Sequence, residues 1–233
     1  GQMMQKSEYD GMVKPQTGPS APKTYSLTDA SYNGRRYGWS SSSGRKGKYT
    51  TIRLTVGNKK YELHDSIFVS PIVLDMDGDG KLQASNGKHL PHPYRGGKIV
   101  EFDINGDGFM DLTEWVGPND GLLLVKPAEG ERVDANHLFG YAGGFADGYE
   151  KLALYDADKN GVLKGDELKN LSIWQDKNGN AKIDRGEVKT LSQVGITSIG
   201  LNHRLYISHF VQNGKKKKMW DWHPSVFYVK RKK

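Results

Sequence analysis

Cysteine is absent from the 233 residues. Its absence excludes a disulfide scaffold, a thiol nucleophile and any Cys-based zinc or haem site. It leaves the compartment open. No stretch approaches the ~18 apolar residues of a membrane span. No export signal is visible either, although the first residue is Gly1 rather than Met, which fits a processed or trimmed end. No G-x-S-x-G elbow or phosphate-binding loop occurs. Carboxylate pairs abound, but a general acid needs a cleft and a raised pKa, which a sequence does not show. The expectation is therefore not an enzyme.

What is present is polar but built to fold. The five Trp, twelve Tyr and seven Phe argue against disorder, and 29 Gly point to many turns and few long helices. The net charge of +7 is unevenly spread. Residues 71–200 carry 21 acidic and 14 basic side chains, a net of −7, whereas residues 215–233 hold eight basic side chains against Asp221. The acidic middle and the basic ends call for separate explanations.

The acidic middle contains four loops with oxygen ligands at regular spacing. Ca²⁺ takes six to eight oxygens, and a twelve-residue loop supplies them from positions 1, 3, 5, 7, 9 and 12, with Gly at the sharp turn of position 6. The first loop offers Asp75, Asp77, Asp79 and the carbonyl of Lys81, but Asn86 stands where the closing acid belongs. In the second, Asp103, Asn105, Asp107, Phe109, Asp111 and Glu114 fill every position. The third has Asp156, Asp158, Asn160, Val162 and Glu167, with Lys164 leaving its position to water. The fourth has Asp176, Asn178, Asn180, Lys182, Asp184 and Glu187, but Ala181 replaces the turning Gly. A β-carbon there costs roughly 1–2 kcal/mol in left-handed backbone. Loop four is therefore expected to be the weakest of the three complete loops, and Ala181→Gly to tighten it about tenfold. The eighth positions (Leu82, Met110, Leu163, Ile183) are all apolar, as loops joined in pairs require. The plain alternatives are Asx-rich turns that bind nothing, and Mg²⁺ in place of Ca²⁺.

Along the chain, residues 1–23 read as a flexible lead-in and 24–70 as a β-rich segment. Residues 71–200 form the calcium-binding module. Residues 201–233 close it with a β-hairpin and a basic tail. Loops one and two are entered from short apolar runs. Phe145, Tyr149 and Leu152, then Leu168, Leu171 and Trp174, recur at helical spacing around loops three and four. The expected fold is α+β: short β segments and hairpins around paired calcium loops, the second pair EF-hand-like, helix–loop–helix.

The ordered string PIVLDMDGDG, VEFDINGDGFMDLTEW, GYEKLALYDADKNGVL and LSIWQDKNGNAKIDRGEVKTLSQVGITSIGL resembles the calcium-binding module of large bacterial secreted proteins of the RTX and type I secretion class, haemolysin-like and FrpC-like. The likeness runs from about Ile67 to Leu201. It implies a secreted or surface location, with the periplasm as the alternative, three to four Ca²⁺ ions and calcium-dependent folding. Some relatives cut an Asp-Pro bond when calcium binds. This sequence has no Asp-Pro dipeptide and no GGxGxD repeats. A calcium-dependent enzyme or self-processing domain is the rival reading.

Two further features admit binding readings. His89 and His92 could hold a transition metal, but two prolines and no third ligand favour a surface loop. Lys215–Lys218 and Lys230–Lys233 flank aromatic residues and could hold an anionic glycan or nucleic acid, although a solubilising hairpin is the plainer expectation.

Overall fold

The computed structural model describes residues 25–26, 30–33, 50–56, 59–65, 69–90, 98–106, 108, 110–128, 130–224 and 226–227. Asp107, Phe109, His92, the lead-in 1–23 and Lys230–Lys233 lie outside the described residues.

The described chain is mostly β. Its strands are β1 (Tyr25–Ser26), β2 (Ala30–Asn33), β3 (Thr50–Val56), β4 (Lys59–Asp65), β5 (Ile72–Leu74), β6 (Lys98–Phe102), β7 (Asp111–Glu114), β8 (Gly121–Val125), β9 (Val162–Lys164), β10 (Leu171–Trp174), β11 (Val188–Thr190), β12 (Ile196–Gly200), β13 (Ile207–Gln212), β14 (Lys215–Asp221) and β15 (Val226–Phe227). Among the described residues the only α-helix is α1 (Gly148–Leu152), continued by a 3₁₀ turn at Ala153–Tyr155. Eight strands form one antiparallel sheet in the order β11-β10-β8-β5-β14-β13-β12-β9, curled into a half-barrel. A second sheet runs β1-β6-β7-β15, and β2-β3-β4 make a third.

The α+β, helix–loop–helix expectation is thus overturned, and the cause is visible in β10. Leu171, Ser172, Ile173 and Trp174 are all buried, because the large sheet is covered on both faces. Ile72, Leu74, Leu123, Ile173 and Met219 point into one core with Phe139, Tyr149 and Leu152 of the α1 side. Val73, Leu122, Leu124, Trp174 and Trp220 point into the other, against Val100 and Phe102 of β6. A strand buried on both faces loses its polar alternation and reads as an unbroken apolar run. The three-residue spacing of Leu168, Leu171 and Trp174 is coincidence, not helical periodicity.

Loops three and four are also not partners. Loop three contributes β9, which pairs with β12 at one edge of the large sheet. Loop four joins β10 to β11 at the opposite edge. Leu163 is accordingly buried, while Ile183 is exposed. Loop one follows β5 in the middle of the sheet, and loop two is the hairpin between β6 and β7.

Candidate metal centres

The four loops share one backbone device. Positions 4 and 6 lie in left-handed backbone, seen at Gly78 and Gly80, Gly106 and Gly108, Lys159 and Gly161, and Gly179 and Ala181. The first Asp of each loop collects the N–H groups that these turns aim inward. Asp75 accepts from Gly78 at 2.7 Å and Gly80 at 2.9 Å. Asp103 accepts from Gly106 and Gly108, both at 2.8 Å. Asp156 accepts from Asn160 at 3.2 Å and Gly161 at 2.8 Å. Asp176 accepts from Gly179 at 2.6 Å and Ala181 at 2.7 Å. Repeated Asx turns of this kind fold the chain around a point and leave oxygens facing it.

The closing acids differ. Glu167 accepts from the N–H of Ala157 at 2.8 Å and of Lys164 at 2.9 Å, drawing the end of loop three onto its start. Glu187 does the same in loop four with Lys177 at 2.8 Å and Asp184 at 3.1 Å. Glu114 instead lies buried in β7, where one oxygen accepts from Ser85 Oγ at 2.7 Å, and Ser85 Oγ accepts in turn from Trp222 Nε1 at 3.0 Å. Asn86 of loop one lies in left-handed backbone at φ 52° and is exposed. Among the described residues, two groups bring carboxylate oxygens within 4.8 Å of one another: Asp156 with Asp158 and Glu167, and Asp75 with Asp77 and Asp120.

Sequence reasoning missed Asp120. The Leu74–Gly121 pairing of β5 with β8 sets the residue before Gly121 opposite the residue after Leu74. Burial pushes the Asp120 carboxyl up to about 7, the Gln83 N–H offsets part of this, and the charges of Asp75, Asp77 and Asp79 add to it. Burial likewise raises Asp75, partly offset by the Gly80 and Gly78 N–H groups. The only local hint was the turn sequence GPND (117–120) before the apolar run at 121–125.

The SPM domain family model matches residues 72–219, a span that holds all four loops and Asp120. The chain belongs to the SPM domain family. Over 156 residues it is 31% identical to the iron-regulated protein FrpA of Neisseria meningitidis serogroup C, which covers 62% of this chain and 13% of that protein. The chain therefore corresponds to a small part of a much longer relative.

Within the SPM domain, hard oxygen donors and preformed turns fit Ca²⁺, but the loops are not equally open to it. Asp176 is fully buried and accepts four hydrogen bonds, those from Gly179 and Ala181 together with Asn180 N at 3.1 Å and Trp115 Nε1 at 2.7 Å. A carboxylate has about four lone-pair sites, so these leave little for an ion. Asp184 Oδ2 is taken by the amides of Asn178 at 2.6 Å and Asn180 at 2.7 Å, which would have to turn their oxygens inward. Loop four is thus expected to be weaker than loop three for reasons of hydrogen bonding more than of Ala181.

Ala181 does sit in left-handed backbone, at φ 56°, but protein hydrogen bonds already hold it there and its methyl is buried. The strain belongs to the folded chain rather than to ion binding. Gly would relieve roughly 1–2 kcal/mol of strain and forfeit about 0.8 kcal/mol of methyl burial. It would also lose roughly 0.5–1 kcal/mol to the freer unfolded chain. The expected tenfold gain therefore shrinks: Ala181→Gly should change loop-four affinity by less than about threefold. Amide shifts of Lys182 and Ile183 during a Ca²⁺ titration measure this, and a tenfold gain would return the cost to the binding step.

The basic strand β14 also has internal work. Lys217 Nζ donates to the Met76 carbonyl and to Gln212 Oε1, both at 2.7 Å, and Lys218 Nζ to the Gly80 carbonyl at 3.4 Å. Two of the four lysines thus brace the acidic loop one, and the geometry gives no support to a polyanion partner. His89 Nε2 lies 3.0 Å from the Leu205 carbonyl. Among the described residues, no helix is long and apolar enough to cross a membrane.

Proposed function

We propose that this chain is a non-catalytic, calcium-binding part of a larger secreted or surface bacterial protein, in which Ca²⁺ filling the loops organises and stabilises the fold. The observation that carries this is the shared loop backbone, with positions 4 and 6 left-handed and the leading Asp gathering N–H groups, four times in one domain. Chance Asx turns have no reason to repeat that arrangement alongside acids at the ligand positions. The relationship to FrpA supports a secreted or surface setting, where calcium is plentiful enough to fill weak sites. Loop three, with Asp156, Asp158 and Glu167 already converged, is the expected tightest site.

Calorimetric titration of chelator-stripped protein with Ca²⁺ tests this reading. Three to four ions should bind, loop three first. Binding of no Ca²⁺ at millimolar concentration would overturn it, and new fragments on a gel after calcium addition would favour the self-processing rival instead.

A further inference from the structure

We propose that Asp120 is a ligand of the loop-one cation, supplying from the β7–β8 connection the carboxylate that the loop's own twelfth position lacks. The inference rests on the calcium-binding reading of the loops and adds a residue that their spacing does not contain.

Three observations carry it. The β5–β8 register sets Asp120 beside Asp75, and one oxygen each of Asp75, Asp77 and Asp120 fall within 4.8 Å of one another. Asp120 has no solvent exposure. Its Oδ2 accepts from the Gln83 N–H at 2.7 Å, while its Oδ1 is buried and makes no hydrogen bond. A buried carboxylate oxygen left without a donor is costly unless a cation meets it.

The turn that carries Asp120 is built onto loop one. Gln83 clamps it through three hydrogen bonds: its carbonyl accepts from Gly117 N at 2.6 Å, its Oε1 accepts from Asn119 N at 2.9 Å, and its N–H donates to Asp120. A β-carbon at Gly117 would stand 2.7 Å from Gln83 Cβ, so this approach needs Gly. From the other side, Lys177 Nζ donates to the Pro118 carbonyl at 2.7 Å, tying the same turn to loop four. An ion held by Asp75, Asp77 and Asp120 would therefore join the end of β5 to the start of β8. Loop one would not need the acid that Asn86 fails to provide.

The test compares wild type, Asp120→Asn and Asp77→Asn. Titration with Ca²⁺ alone should show each variant binding one ion fewer than wild type, or that ion on the order of tenfold or more weakly. The double variant should lose no second ion, because both acids serve one site. Melting supplies an independent readout. In EGTA Asp120→Asn should melt above wild type, since an unpaired buried charge is gone, and in millimolar Ca²⁺ below it. If wild type binds no Ca²⁺, the calcium reading itself fails. If wild type binds and Asp120→Asn takes up the same ions with unchanged affinities, that reading stands and Asp120 is not a ligand. Lower melting of Asp120→Asn in both conditions with full stoichiometry would also overturn the proposal. Asp77 is exposed, so Asp77→Asn keeps the test decisive should Asp120→Asn not fold.

Discussion

Transfer of chelator-stripped protein from EGTA into millimolar Ca²⁺ should raise its melting temperature by roughly 8–16 °C for each loop held at a thousandfold excess over its Kd. Each such loop contributes RT ln(1 + [L]/Kd), or about 4 kcal/mol, if the unfolded chain does not bind. The expectation follows from how the acids are spent in the fold. Asp156, Asp158 and Glu167 converge within 4.8 Å, as do Asp75, Asp77 and Asp120, and like charges so placed oppose folding until a cation joins them. Lys217 and Lys218 brace loop one only through its carbonyls. The transition can be followed without a label. Trp115 donates to Asp176 at 2.7 Å and Trp174 to Glu187 at 3.4 Å, so indole emission senses loop four directly. Equal melting temperatures in EGTA and Ca²⁺ would sink the proposed function.

The closing acids of loops three and four should separate binding from folding. Glu167→Gln is expected to remove one ion at moderate calcium and to leave the melting temperature in EGTA nearly unchanged. Glu167 is half-exposed, and water can replace what its two N–H partners lose. In saturating Ca²⁺ the same variant should melt roughly 8–16 °C below wild type, the full contribution of one tight site. Glu187→Gln should behave differently. Glu187 is buried and accepts from Lys177 N, Asp184 N and Trp174 Nε1. Gln turns one acceptor oxygen into a donor facing other donors, a loss of about 1–3 kcal/mol that needs no ion. Its melting temperature should fall by roughly 2–12 °C even in EGTA. Identical EGTA melting for the two variants would show that Glu187 serves the ion alone. Full stoichiometry in Glu167→Gln would show that loop three is misassigned.

The loops were legible in the sequence because each is local. Twelve consecutive residues carry the ligand spacing, and in loops one to three Gly at the sixth position announces the turn. The elements between them were not, because their identity depends on partners far along the chain. The LSIW run of β10 is a strand only because β8 and β11 flank it, and burial on both faces removed the alternation that marks a strand. The apolar eighth positions suggested loop pairs, yet Leu163 is apolar because β9 packs beside β12, and Ile183 has no such neighbour. Asp120 was invisible for the same reason: its place beside Asp75 is set by strand register, which no local pattern encodes. The lysine run reads most plainly as a solubilising hairpin, and nothing local shows that two of its side chains reach across to loop one.

The position of β14 bears on how the chain can be assembled. β5 pairs with β8 on one edge and with β14 on the other, and β14 also carries β13, β12 and β9. During synthesis β5, β8, β10 and β11 can form a four-stranded ribbon before residues 215–221 exist, but that ribbon ends in an open edge at β5. An open edge invites pairing with other chains. Closure waits for a long-range docking event, which makes such folds slow to complete. A nascent chain stopped before Lys215 would therefore be an aggregation-prone half-sheet rather than a smaller version of the protein.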